Sequence, residues 1–130
     1  MNRAVIAVGS NINPHYHIEQ ARQQLRESHM WLAESQFVQT APLGYTDQAD
    51  FVNGAFLIKT TLTPEELKQW LRKLEDALGR VRTANTFGPR TIDLDIAIWN
   101  DEIVDADVYD REFLKKSVLE LCPQLAPSLE

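Results

Sequence analysis

Two aspartates stand one residue apart within an alternating apolar run at residues 92–98 (IDLDIAI). Because side chains alternate between the two faces of a β-strand, Asp93 and Asp95 should share one face, and the even-numbered apolar residues through Ile98 should share the other. The two Cα atoms would lie about 6.5–7 Å apart, close enough for the carboxylates to share one Mg²⁺ or a pair of ions about 3.5–4 Å apart. Hard oxygen ligands without nearby His or Cys favour Mg²⁺ over zinc. The alternative is a solvated strand face that carries two acids.

A basic segment precedes these aspartates. Residues 79–90 contain Arg80, Arg82 and Arg90 and no acid, in a chain whose 13 Lys+Arg and 19 Asp+Glu give a formal charge of −6. Guanidinium groups bind phosphate oxygens in bidentate fashion, and a metal ion held by carboxylates can bind the same phosphates from the opposite side. The combination favours phosphoryl transfer from a nucleotide, in which positioning and charge neutralisation supply most of the catalysis. Alternatively, the arginines only pair with nearby acids, which contributes little at a surface.

Two further segments are suited to binding a flat ring. Residues 40–44 (TAPLG) leave one predicted strand, and Phe51 and Asn53 open the next. Together with Phe113 they offer two aromatic faces, exposed loop backbone and an amide that both donates and accepts, which would suit a heteroaromatic ring. Phe51 and Phe113 could instead be core residues. Asn53 is harder to explain in that way, because a buried amide needs hydrogen-bond partners.

The elements that must position these residues follow from hydrophobic periodicity and from turn and capping signals. The second helix has a clear start signal, with Thr63 as N-cap, Pro64 at the first helical position and Glu66 completing a capping box. This order of elements predicts an α+β, ferredoxin-like βαββαβ fold: an antiparallel sheet with helices on one face, an open second face as a floor for a ligand, and a short C-terminal helical segment. The predicted elements are a strand at 4–8, a helix from 14 to about 28, strands at 31–40 and 51–61, a helix from 64 that stops at 79, a strand at 92–99, and the tail.

Composition restricts the class of protein. A chain of 130 residues, 44% hydrophobic and 25% charged, is typical of one globular domain, here predicted to span residues 1–130. No apolar run approaches the roughly 18 residues of a membrane helix and no signal-peptide pattern is present, so we expect a cytoplasmic protein without a membrane partner. The acidic balance argues against a nucleic-acid partner. Cys122 is the single cysteine, which excludes an internal disulfide. We expect a monomer.

The motifs resemble one family, the 6-hydroxymethyl-7,8-dihydropterin pyrophosphokinases of folate biosynthesis. The resemblance extends from residue 4 to about residue 100, and its most specific parts are GPRTIDLDI at 88–96 and GRVR at 79–82. The segments VGSN at 8–11 and TAPLG at 40–44 also match. The resemblance implies a ferredoxin-like fold, ATP as co-substrate, two Mg²⁺ ions, and transfer of the β,γ-diphosphoryl group to the pterin hydroxymethyl oxygen with release of AMP.

The resemblance also implies roles for individual residues. Asp93 and Asp95 correspond to the metal ligands, and Arg80, Arg82 and Arg90 correspond to phosphate binders on a mobile loop; these five form the expected catalytic set. Further nucleotide contacts are implied for Glu75, Ile96 and Arg111, in addition to Arg82 and Arg90. The expected pterin-binding residues are Thr40, Pro42, Leu43, Gly44, Phe51, Asn53 and Phe113.

The sequence departs from the family pattern after the metal-binding strand. Family members usually carry an Arg and then a Pro-His pair before the terminal helix, whereas here residues 100–110 lead almost directly to Arg111. Residues 101–112 contain six acids against that one arginine. Phe87 also stands where a Trp is usual. We infer a deletion on the nucleotide side and expect weaker ATP binding.

Two other hypotheses follow from this departure and from the order of elements. The first is a pterin- or nucleotide-binding paralogue that is catalytically weak or inactive. The second is an RNA-recognition module with the same strand order, which is disfavoured by the acidic balance and by the lack of paired aromatics on the first strand.

Overall fold

The structure, a computed structural model, describes residues 1–81 and 88–129, and within these residues its centre is an antiparallel sheet of six strands. Strand order is β2-β4-β1-β5-β6, and β3 pairs with β4 beyond the end of β2. This arrangement confirms the predicted ferredoxin-like α+β fold. The strands are β1 (Asn2–Ser10), β2 (Met30–Glu34), β3 (Val38–Thr40), β4 (Phe51–Thr60), β5 (Asp93–Trp99) and β6 (Glu102–Ile103).

Two long helices, α1 (Pro14–Ser28) and α2 (Pro64–Ala77), pack on one face of the sheet. Their buried residues, such as Leu25 and Leu71, form a first core with Ile6, Phe56 and Leu94 of the strands. The predicted capping box of α2 is present: Thr63 Oγ1 accepts from the Glu66 N–H (3.2 Å), and Glu66 Oε1 accepts from the Thr63 N–H (2.9 Å). After α2 the chain turns at Gly79, whose φ of 85° lies in the left-handed region that favours glycine.

The C-terminal segment forms α3 (Asp107–Asp110), α4 (Glu112–Leu121), a 3₁₀ turn (Pro123–Leu125) and α5 (Ala126–Leu129). It packs on the second face of the sheet and forms a second core, in which Leu114 and Val118 meet Val5 and Leu57. The expectation of a fully open second face is therefore wrong, because the apolar residues of β1 and β4 on that side must also be covered. No described helix is long and apolar enough to cross a membrane.

A β-bulge at Ala97 changes which side chains of β5 share a face. Ile6 pairs with Ile96 but Val5 pairs with Ile98, which leaves Ala97 as an extra residue. Ile98 therefore enters the second core, while Ile96 packs against the first. The expectation that Ile98 shares a face with Ile92 is wrong. Alternation holds as far as Ile96, so the two aspartates of β5 share the face opposite α1 and α2.

The predicted strand at 31–40 is divided in two by residues 35–37. Ser35 is buried at this break, where its N–H donates to the Ala55 carbonyl (2.9 Å) and its Oγ accepts from the Ala55 N–H (2.8 Å). The hydroxyl thus takes a position in the ladder that a backbone carbonyl would fill in a continuous strand. The break lets β3 pair with the start of β4, which places Thr40 opposite Phe51.

Candidate active site

A cleft of about 580 Å³ lies where the end of β1 meets the starts of β4 and β5, on the face that carries the C-terminal helices. Its floor includes Gly9 of β1, and one wall is formed by the segment that joins α3 to α4. Ten of the residues predicted from the sequence line this cleft. They are Thr40, Leu43, Phe51, Asn53, Arg80, Arg90, Asp93, Asp95, Arg111 and Phe113.

Four other residues predicted from the sequence are not among the residues that line the cleft. Pro42 and Gly44 lie in the loop at 41–50, Glu75 is fully buried, and Ile96 packs against the first core. Arg82, like Phe87, lies outside the described residues. Roles for all these residues stay predictions.

Each aspartate of β5 is held by arginine side chains. Arg80 Nη1 donates to Asp93 Oδ1 (3.2 Å), and Arg90 Nη1 donates to Asp93 Oδ2 (3.0 Å). Arg72 Nη2 donates to Asp95 Oδ1 (2.9 Å). The motifs do not predict a role for Arg72, although the sequence carries one signal: Arg72 stands three residues before Glu75 on a predicted helix, a spacing at which opposite charges meet.

Glu75 is buried beneath the cleft and connects its charged groups. Its Oε1 accepts a hydrogen bond from Arg72 Nη1, and its Oε2 accepts from the Leu94 N–H (2.8 Å) and lies 3.5 Å from Arg80 Nη1. These partners satisfy a carboxylate that would otherwise be costly to bury. Glu75 thereby links α2 to β5 and positions two of the cleft arginines.

Opposite charges and burial alter the proton affinities of this cluster. Burial, and secondly the charge of Asp93, raise the pKa of Asp95 to about 6, although Arg72 opposes this shift. Burial disfavours the charged form of Arg72, but its hydrogen bonds to Glu75 and Asp95 outweigh that effect and raise its pKa. Arg72 thus stays a cation, whereas the Asp95 carboxyl binds its proton more tightly than an ordinary aspartate does.

The donor set of the cleft fits Mg²⁺ shared with a ligand. Asp93 and Asp95 present side chains that are 25% and 41% exposed. Among residues 1–81 and 88–129, no group of three or more His, Cys, Asp or Glu side chains could hold a metal ion. Mg²⁺ is commonly bound by one or two carboxylates, with water and substrate phosphates at the other positions. The two aspartates could therefore hold Mg²⁺ in that way.

The part of the cleft suited to a ring centres on Asn53. Asn53 Nδ2 donates to Thr40 Oγ1 (2.6 Å), and Asn53 is paired with Gly9 across β1 and β4. A Cβ atom at Gly9 would lie only 2.7 Å from Asn53 Oδ1, so a glycine here lets the Asn53 amide keep its orientation. The guanidinium carbon of Arg90 lies 5.9 Å from the centroid of the Phe51 ring, which joins this part of the cleft to the charged part.

Asn11, directly after β1, fixes both loops that border the cleft. Its Nδ2 donates to Gln48 Oε1 (2.8 Å) and to the Ala49 carbonyl (3.0 Å), and its Oδ1 accepts from the Arg90 N–H (2.8 Å). The backbone N–H of Asn11 also donates to the Arg90 carbonyl (3.1 Å). With 7% of its surface exposed, Asn11 is a buried amide with every partner supplied by those loops. The sequence analysis quoted it within a motif and gave it no role.

The acidic C-terminal segment contributes charge to the cleft. Asp105 and Asp107 line it, and Asp107 Oδ2 lies 3.4 Å from Arg111 Nε. Among the described lining residues, four arginines face four aspartates. The side chains of these eight described residues therefore offer no net positive charge to a phosphate chain.

Comparison with known proteins places the chain in a family. The family model for 7,8-dihydro-6-hydroxymethylpterin-pyrophosphokinase matches residues 5–123. The 2-amino-4-hydroxy-6-hydroxymethyldihydropteridine pyrophosphokinases of Bacillus subtilis and Haemophilus influenzae are both 36% identical to it, over 95% and 96% of this chain and 80% and 84% of their own lengths. The Schizosaccharomyces pombe folic acid synthesis protein fol1 is 33% identical over 94% of this chain and 18% of its own. The family predicted from the motifs is confirmed: the chain belongs to the 7,8-dihydro-6-hydroxymethylpterin-pyrophosphokinase family.

Proposed function

We propose that this protein transfers diphosphate from Mg·ATP to the hydroxymethyl group of 6-hydroxymethyl-7,8-dihydropterin and releases AMP. The observation that carries the proposal is the juxtaposition, in one cleft, of a paired-carboxylate and arginine cluster with a pocket for a flat ring. A diphosphate transfer to a heterocyclic alcohol needs both parts within reach of each other.

The ring pocket would hold the pterin. Phe51 and Phe113 offer apolar faces for a planar ring, and Leu43 adds apolar surface at the rim. The Asn53 amide is held in one orientation by Thr40, so it can match a fixed pattern of donors and acceptors on the ring edge. Such pre-orientation lowers the cost of binding.

The charged part would hold the triphosphate. Arg80 and Arg90 both donate to Asp93. When the aspartates bind a cation, these two arginines can donate to phosphate oxygens instead. Mg²⁺, when bound, would neutralise phosphate charge and align the ATP. The hydroxymethyl oxygen forms a bond to the β-phosphorus while the bond from that phosphorus to the α,β-bridging oxygen breaks. The bond's electron pair leaves with AMP, and the hydroxyl proton passes to solvent.

A second candidate is a pterin- or nucleotide-binding protein with weak or no turnover. It is favoured by one observation, the balance of four aspartates against four arginines in the described cleft. Asp107 lies beside Arg111 and offsets part of the positive charge that this arginine could offer to a phosphate. Calorimetry separates the two candidates: an enzyme should bind pterin more tightly when a non-cleavable Mg·ATP analogue is present, whereas the alternative predicts pterin binding without this synergy.

The direct test is a coupled assay for AMP release by the purified protein. We expect AMP only when ATP, Mg²⁺ and pterin are all present, and we expect Arg90→Ala and Asp95→Asn to abolish the signal. Arg22→Lys, on α1 and not among the residues that line the cleft, is the control and should retain activity. Absence of pterin-dependent AMP at millimolar Mg·ATP would reject the enzyme and leave the binding protein.

A further inference from the structure

Arg72 connects the buried and the exposed acids of the cleft. Its Nη1 donates to the fully buried Glu75 and lies 3.4 Å from the Leu94 carbonyl, while its Nη2 donates to Asp95. Its side chain is 35% exposed and lines the cleft. One end of the guanidinium group is therefore anchored in the protein, and the other end occupies a carboxylate oxygen that faces the ligand space.

This arrangement sets up a competition for Asp95. A guanidinium group and a divalent cation that both bind the Asp95 carboxylate closely repel each other, so each weakens the binding of the other. The hydrogen bond from Nη1 to Glu75 keeps Arg72 at the cleft. An Nη2 group released from Asp95 is available for another acceptor, and phosphate oxygens are the acceptors that match a guanidinium group best.

The other described cleft arginines are bound differently. Arg80 and Arg90 both donate to Asp93, and Arg111 is paired with Asp107. Asp93 therefore keeps a second arginine if one of its two turns away, whereas Arg72 is the arginine that donates to Asp95 in the described part of the chain. Within residues 1–81 and 88–129, the exchange at Asp95 therefore involves one arginine, Arg72.

We propose that Arg72 is the counter-ion of Asp95 in the metal-free protein, and that it gives Asp95 up to a divalent cation and binds a nucleotide phosphate through its Nη2 group instead. The proposal rests on the proposed function, because it requires that cation and nucleotide share this cleft. It makes their binding interdependent: the cation alone must displace Arg72, and the nucleotide supplies the new partner that compensates for the displacement.

The test uses the full chain and two direct binding measurements. Mn²⁺ alone is titrated by electron paramagnetic resonance without nucleotide, and the non-cleavable analogue α,β-methylene-ATP is titrated by calorimetry in saturating Mg²⁺. The Arg72→Lys variant keeps a positive side chain beside Glu75, but its single ammonium group cannot bridge the Glu75 and Asp95 carboxylates. We expect this variant to bind Mn²⁺ roughly fivefold more tightly than wild type does. We expect it to bind the analogue more weakly, by roughly tenfold or a larger factor, as the loss of one charge-assisted hydrogen bond predicts.

Changes of opposite sign in the Mn²⁺ affinity and the analogue affinity distinguish the exchange from a structural role. A merely structural role for Arg72 would weaken both affinities, and that result overturns the proposal. Mn²⁺ affinity that is unchanged or lower, or analogue affinity within about twofold of wild type, also overturns it. Arg72→Met, which keeps the apolar stem, is the second variant, and thermal unfolding establishes that each variant is folded.

Arg22→Lys is the matched control. Arg22 makes the same kind of bridge on α1, with Nη1 to Glu19 three residues earlier and Nη2 to Glu34, away from the cleft. Neither affinity should change in this variant. Failure of the proposed function is recognised separately, because wild-type protein would then release no pterin-dependent AMP, whether or not it binds the analogue. If wild type does both and the two affinities of Arg72→Lys fail to move in opposite directions, only the role of Arg72 is rejected.

Discussion

Replacing Gly9 by alanine should damage the ring pocket through a single contact. The added Cβ would lie 2.7 Å from Asn53 Oδ1, well inside the ordinary contact distance, and 3.8 Å from Asn53 Cγ, which is acceptable. Since β1 and β4 are fixed by their ladder, the Asn53 amide has to rotate. Rotation breaks its 2.6 Å hydrogen bond to Thr40 and turns its donor and acceptor away from the pocket.

The magnitude follows from those two losses. The hydrogen bond is worth about 0.5–1.5 kcal/mol and an off-rotamer side chain costs about 0.5–1.5 kcal/mol, so we expect the free energy of unfolding to fall by about 1–3 kcal/mol. Loss of the oriented amide should raise the KM for the pterin roughly tenfold or more. The KM for ATP should change little, because the contact lies on the pterin side of the cleft.

The assay is AMP release with each substrate varied in turn, repeated in an Asn53→Ala background. Asn53→Ala removes the atom that the new Cβ would meet, so Gly9→Ala should have little further effect there. An equal rise of KM for pterin and ATP, or an undiminished effect of Gly9→Ala in the Asn53→Ala background, would refute this reasoning. Thr40→Val, which removes only the hydrogen-bond acceptor, should reproduce part of the pterin effect.

Three other predictions follow from the cluster and its anchors. Asn11→Ala should lower the free energy of unfolding by about 1–3 kcal/mol and raise the KM of both substrates, because it frees both bordering loops; a change in one KM alone would contradict this. Glu75→Gln should lower stability by roughly 3 kcal/mol in urea unfolding and reduce AMP release, since it removes a buried charge that Arg72 and Arg80 share and leaves each of them one aspartate partner among the described residues; wild-type values for both would refute the anchoring role. Mg²⁺ affinity should fall up to about tenfold per pH unit below about pH 6, because protons compete for Asp95. The raised pKa of Asp95 also means that the metal-free protein loses stability as pH rises between about 4 and 6. Asp95→Asn should abolish this pH dependence of stability in thermal unfolding.

Local signals predicted most of the secondary structure. The start of α2 was evident because a capping box involves residues three positions apart, and its end because a left-handed turn favours glycine at Gly79. Alternation along β5 correctly placed Asp93 and Asp95 on one face, since this periodicity is a property of a single strand.

Local signals failed where a partner strand or a distant segment decides the outcome. The bulge at Ala97 is defined by the register between β1 and β5, so Ile98 changes face without any signal in its own neighbours. The packing of the C-terminal helices on the second face depends on the apolar residues that β1 and β4 leave there.

The family, the α+β order of elements and the residue types of the cleft are all evident from motifs and periodicity along the chain. How the cleft residues are connected depends on tertiary packing. Arg72 meets Asp95 across 23 positions, Asn11 meets Arg90 across 79, and Gly9 meets Asn53 across the β1–β4 pair. Such contacts arise when helix and strands pack together, and short-range periodicity carries no information about them.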